Sequence, residues 1–220
     1  MIGFDKSRYQ VPGAGPWGEF EYDQAGRGRD PAPGNPITGG LLDKRCAGHI
    51  AEARRRGVPV SVYWRVFPDV ALEWQADAMC QVAGNVGIGK TTTLWLDIEN
   101  PSRFEAWPGD AAAYEAGYVA RVNANGWPCG TYANESFWRT RGIRGGQGRI
   151  VAKYNSNNGT INGTPPLVPW DIWQYTSMFG TGNQDGNTAE AAAISRLFGR
   201  SGTIEPPRAR VFELVESLEN

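Results

Sequence analysis

Leu94-Trp95-Leu96-Asp97-Ile98-Glu99 is the stretch that decides the fold. Side chains alternate faces along a strand, so Leu94, Leu96 and Ile98 share one face while Trp95, Asp97 and Glu99 share the other. The apolar face suits packing against helices. The other face then turns Trp95 and both acids toward a barrel interior, with the acids at the C-terminal end of the strand, where the sites of such barrels gather. Neighbouring carboxylates repel when both are ionised, so one of them tends to keep a proton and can serve as a general acid. Protonation of a poor leaving group such as a glycosidic oxygen is chemistry of this kind. The plainer alternative is a pair of acids bridged to Arg or Lys at a loop edge.

Outward from this strand, short apolar runs alternate with helical stretches that end at glycine, a pattern of parallel strands and crossover helices. Strands are expected at Ile2 to Asp5, Glu19 to Gln24, Val58 to Val66, Thr91 to Glu99, Pro128 to Tyr132, Arg149 to Tyr154 and Trp170 to Thr176, with an eighth, weaker one near Gly182. Helices are expected at Leu41 to Arg56, stopped by a left-handed Gly57, from a cap at Asp69 to about Gln81, at Gly109 to Asn125, Glu135 to Arg141 and Thr188 to Phe198. Gly26 to Gly40 reads as a loop at a rim. The class is therefore α/β, a (β/α)8-like (TIM-type) barrel with irregular last units, occupying residues 1–203 and followed by a tail over 204–220.

The 220 residues suffice for one barrel domain, and no apolar run approaches the length of a membrane span. The opening Met-Ile-Gly-Phe-Asp has neither a basic start nor an apolar run, so no secretory signal is expected. A net charge of −1 provides no field for nucleic acid, and Arg54-Arg55-Arg56 reads as the solvated end of a helix. Cys46, Cys80 and Cys129 are odd in number and widely spaced, which fits buried thiols better than a disulfide framework or a zinc cluster. The lone His49 leaves a serine or cysteine triad without a base and a zinc hydrolase short of ligands. Nine Trp and eight Tyr exceed what one core needs, and aromatic faces suit the apolar faces of sugar rings.

Gly84-Asn85-Val86-Gly87-Ile88-Gly89-Lys90-Thr91 satisfies G-x-x-x-x-G-K-[ST]. A phosphate loop needs a strand before it and a helix after it. Here the order is reversed, so no nucleotide is expected. Other strand ends carry Asp5, Tyr63, Trp64, Arg65, Tyr132, Tyr154, Trp173 and Gln174, and Asp185 lies in a turn after the Trp173 strand. Together they would surround the acids with stacking and hydrogen-bonding groups.

The sequence resembles the lysozymes of glycoside hydrolase family 25, many of them bacteriophage endolysins. Gly3-Phe4-Asp5-Lys6-Ser7-Arg8-Tyr9-Gln10 looks like that family's opening Gly-Ile-Asp-Val-Ser segment, and Val62-Tyr63-Trp64 occupies its Tyr-His position. Leu96-Asp97-Ile98-Glu99 is similar to its Asp-x-Glu strand, Gly130-Thr131-Tyr132 to its strand ending in Tyr, and Val151-Ala152-Lys153-Tyr154 to its Ile-Ala-x-Tyr strand. Asp171-Ile172-Trp173-Gln174-Tyr175 matches its Trp-Gln-Tyr strand, and Asp185 with Asn187 its closing Asp-x-Asn.

The resemblance implies hydrolysis of the β-1,4 bond between N-acetylmuramic acid and N-acetylglucosamine in peptidoglycan, with Glu99 as proton donor and Asp97 assisting. Asp5 and Asp185 would shape the charge environment of the muramyl subsite. It implies no cofactor or metal, peptidoglycan glycan strands as the partner, and a monomer made in a host cytoplasm that acts on the wall or rides in the virion. Trp64-Arg65 departs from the family's usual His-Phe, so one subsite is expected to take a modified glycan. The readings that compete are a non-catalytic glycan-binding phage structural protein and a glycosidase acting on another 2-acetamido polymer.

Overall fold

The computed structural model describes residues 1–6, 18–27, 41–43, 45–99, 107–155, 160–161, 163–177 and 185–199. The expected tail over 204–220 and most of the Gly26 to Gly40 loop lie outside them. The elements in chain order are β1 (Ile2–Lys6), β2 (Phe20–Arg27), β3 (Leu41–Leu42), α1 (Cys46–Arg55), β4 (Val60–Arg65), α2 (Leu72–Asn85), β5 (Leu94–Asp97), α3 (Ala111–Ala124), β6 (Cys129–Asn134), α4 (Glu135–Thr140), β7 (Arg149–Ala152), β8 (Ile172–Thr176), β9 (Asp185–Ala189) and α5 (Ala191–Leu197). Among the described residues no helix is long and apolar enough to cross a membrane.

The strands run in the order β1-β9-β8-β7-β6-β5-β4-β2, and a β1–β2 pairing closes them into an eight-stranded barrel, with β3 added along the far end of β2. The barrel is mixed rather than wholly parallel. β9 runs antiparallel to both β8 and β1, so residues 188 and 189, expected to open a helix, belong to a strand. Leu41 and Leu42 likewise pair with β2, and the first helix begins at Cys46 rather than Leu41. Ala71, not Asp69, precedes α2. Gly57 has φ 69° and stops α1 in the left-handed region, as expected.

Strand alternation divides the core in two. Leu94, Leu96, Ile98, Val62, Trp64 and Val151 pack outward against the helices, with Ile50, Met79, Tyr118 and Val122. Phe20, Tyr22, Trp95, Ile150 and Ile172 fill the lumen, and Ile194, Leu197 and Phe198 from α5 join them. Because the carbonyls of Leu197 and Phe198 accept from Thr93 N and Thr92 Oγ1, just before β5, α5 closes the base of the barrel. Glycine makes the lumen possible at Gly130, where a Cβ would meet the Trp95 ring at 2.4 Å.

Six of the nine Trp, at 64, 95, 107, 127, 138 and 173, are buried, so the aromatic surplus mostly builds core. The three cysteines are buried and free. α2 precedes the Gly84 to Thr91 motif and β5 follows it. Its Lys90 is engaged elsewhere, donating to the Asn125 carbonyl at 2.8 Å and lying over the Trp127 ring.

Candidate functional site

Parallel strands end together at the mouth opposite α5. Hydrogen-bond register places Arg65 beside Asp97 and Asp97 beside Tyr132, so β4, β5 and β6 deliver one row across the opening. Glu99 follows two residues after Asp97. On the other side Gln174 lies beside Asn187, and Asp5 beside Asp185. The reversal of β9 is what brings Asp185 here, since its first residue, not its last, points to the mouth. All four expected acids therefore converge.

Gln174 ties half of the site together. Its Oε1 accepts from the hydroxyls of Tyr132 at 2.8 Å and Tyr154 at 2.6 Å, and its Nε2 donates to Asp5 Oδ2 at 2.7 Å. Asp5 also shares a hydrogen bond with Asp185. Burial first, and the Asp185 charge second, push its carboxyl well above the ordinary range, so one proton is held between the two carboxyls. Asp185 is also raised by burial, with the Asp5 hydrogen bond opposing. Asn187, fully buried, accepts from Tyr22 Oη at 2.5 Å and reaches Asp5 at 3.4 Å. Tyr22 meets Tyr63 edge to face.

The other half centres on Asp97 and Glu99. Asp97 is buried and, among the described residues, its Oδ1 has no hydrogen-bond partner. Burial pushes its carboxyl well up, the Glu99 charge adds to this, and Arg65 opposes. Glu99 Oε1 receives Arg65 Nη2 at 2.9 Å, with about a quarter of the Glu99 side chain and a third of the Arg65 side chain open to solvent. The ion pair considered at the sequence level is thus present, but at the mouth of the barrel and for one acid only.

Two expected site residues fall on the wrong face. Trp64 lies between Tyr63 and Arg65, so the same pleat that turns those two inward turns it outward; it is fully buried and packs edge to face on Trp74. Trp173 is separated from the mouth by the same parity. Its indole donates to the Lys153 carbonyl at 2.9 Å and packs between Trp170 and Tyr175. Tyr22 and Asn187 were not among the expected site residues. Continued alternation through Phe20-Glu21-Tyr22 would have exposed the first.

Among the described residues, Glu21, Asp23 and His49 have donor atoms within 4.8 Å of one another, a spacing open to a metal ion. They lie on the outer face of β2 against α1, away from the mouth, and Lys6 Nζ already stands 2.7 Å from Glu21 Oε2. A cation is supplied there by the chain itself.

Residues 34–159 match the family model described as lysozyme-like protein 1. No curated protein matches the sequence. Among solved structures, the catalytic domain of endolysin ply40 from bacteriophage P40 of Listeria monocytogenes is similar with a TM-score of 0.74 and 22% identity, over 90% of this chain and 97% of that one. The Streptococcus pneumoniae virulence factor GHIP, a glycosyl hydrolase 25, gives 0.72 and 21% over 90% and 92%. The bacterial lysozyme from Streptomyces coelicolor gives 0.68 and 21% over 91% and 98%. At these identities the structures establish the fold.

Proposed function

The chain belongs to the lysozyme-like protein 1 family of glycoside hydrolases, and on that premise we propose that it is a muramidase. It cuts the β-1,4 bond between N-acetylmuramic acid and N-acetylglucosamine in bacterial peptidoglycan, acting on the wall as phage lysins do. The observation that carries this reading is the convergence of Asp5, Asp97, Glu99 and Asp185 at one open mouth.

Glycosidic oxygen leaves only when protonated, and Glu99, partly exposed at the end of β5, is the acid a glycan can reach. Asp97 sits one pleat deeper, buried with an Oδ1 unmet among the described residues, and meets polar substrate groups beside the scissile bond. Tyr63, Arg65, Tyr132, Tyr154 and Gln174 line the subsite, where Tyr154, about two-fifths exposed, presents a ring face to the sugar. Asp5 and Asp185, sharing a proton, add less negative charge than two free carboxylates would, which suits a cleft that must also accept acidic wall polymer. Glu99→Gln is expected to abolish clearing of peptidoglycan in a gel while the fold persists; full clearing by that variant would contradict the assignment.

A further inference from the structure

The mouth holds four carboxylates, and the cation that acts on them among the described residues is Arg65. Glu99 in turn acts on Tyr132, Tyr154, Asp97 and Asp185 across the opening, and none of these brings positive charge. Asp97 and Glu99 both hold Arg65 in its charged form. Its side chain is nevertheless open to solvent over about a third of its surface.

This pairing conflicts with the proposed reaction. A guanidinium donates hydrogen bonds and accepts none, so its contact with Glu99 Oε1 is strong only while Glu99 is a carboxylate. A general acid must arrive carrying a proton. Glu99 therefore works best once Arg65 has changed partner. The planar fork that fits Glu99 fits another carboxylate equally well, and the sugar whose bond is cut has one on its lactyl ether wherever no stem peptide is attached.

Resting on the muramidase reading, we propose that Arg65 recognises the lactyl carboxylate of the muramyl residue, and that this carboxylate displaces Glu99 from the guanidinium. The exchange balances: Arg65 passes from one carboxylate to another, and the freed Glu99 takes one proton from solvent, which it then gives to the glycosidic oxygen. Acid catalysis is thereby armed by an anionic substrate. In peptide-bearing wall the lactyl group is an amide, so the enzyme should prefer glycan strands from which the stem peptides have been removed.

The test compares kcat/KM on three soluble substrates: peptide-free glycan strands, the same strands with their carboxylates converted to methylamides, and peptide-bearing strands. Wild type is expected to cut the peptide-free strands about ten- to a hundredfold better than the methylamides, the worth of hydrogen bonds to a charged group. Arg65→Met should erase that preference, slowing the first substrate through the lost anion contact and speeding the methylamides because Glu99 is no longer held, and Arg65→Lys should restore part of it. Equal wild-type rates on charged and amidated strands would overturn the proposal, whatever the folding of the variants. So would a preference that survives Arg65→Met. Peptide-bearing strands cut as fast as peptide-free ones would move the anion to the stem peptide and overturn the muramyl assignment. No cleavage of any strand by wild type would overturn the muramidase reading itself, and this inference with it.

Discussion

Asp5 and Lys6 are neighbours in β1, yet they belong to two different acid clusters on opposite faces of the same wall. Inside, at the mouth, Asp5, Asp97, Glu99 and Asp185 meet one partly exposed cation among the described residues, and among these Asp97 Oδ1 has no partner. Outside, Glu21 and Asp23 are sealed beneath α1 with Lys6 and His49, and neither side chain of the Lys6–Glu21 pair is exposed. Both clusters are acidic, and burial pushes carboxyls upward in both. What separates them is access and the placing of counter-charge. A buried pair with its counter-charge in place is structure, whereas acids that face an opening are available to a substrate.

The sharpest way to break this comparison is to remove one carboxylate from each cluster. Glu99→Gln should cut turnover by about a thousandfold, the scale of general acid catalysis, with little change in stability. Glu21→Gln should leave kcat unchanged and lower the melting temperature; equal kinetic losses would erase the distinction. Next in size, Lys6→Met strands Glu21 in the sealed layer and should cost about 3–5 kcal/mol, seen as a fall of roughly 10 °C in calorimetry. Gln174→Leu cuts the link from Tyr132 and Tyr154 to Asp5 and should lower kcat/KM about tenfold.

The smallest effect has a definite sign. The folded state raises the Asp97 carboxyl above its ordinary 3.8. It therefore binds this proton more tightly than the unfolded chain does, and the stability it contributes is full below that value and lost as pH rises through the raised one. Asp97→Asn should thus gain about 1 kcal/mol over wild type in urea unfolding at pH 7, and the gain should vanish near pH 3. A constant difference at both pH values would show that Asp97 is not held toward its neutral form.

Much of the site was legible because strand parity is strict. Leu94 to Glu99 sorts into two faces from sequence alone, and the structure keeps that sorting. The same rule, applied to Tyr63-Trp64-Arg65 and to Trp173-Gln174, would have sent both tryptophans outward; nearness to a strand end was the weaker guide. β9 was harder to see. Asp185-Gly186-Asn187-Thr188-Ala189 contains few strand-favouring residues, and its extended form comes from pairing on both edges. The Arg65–Glu99 pair depends on the register of β4 against β5, which no local pattern encodes.

The central claim is that the acids at the mouth cut the muramyl bond, and mass spectrometry of digested peptidoglycan tests it most directly. The expected result is N-acetylmuramic acid at the new reducing ends with wild type and no new ends with Glu99→Gln. N-acetylglucosamine at those ends, released stem peptides on intact glycan, or the same products from Glu99→Gln would contradict it.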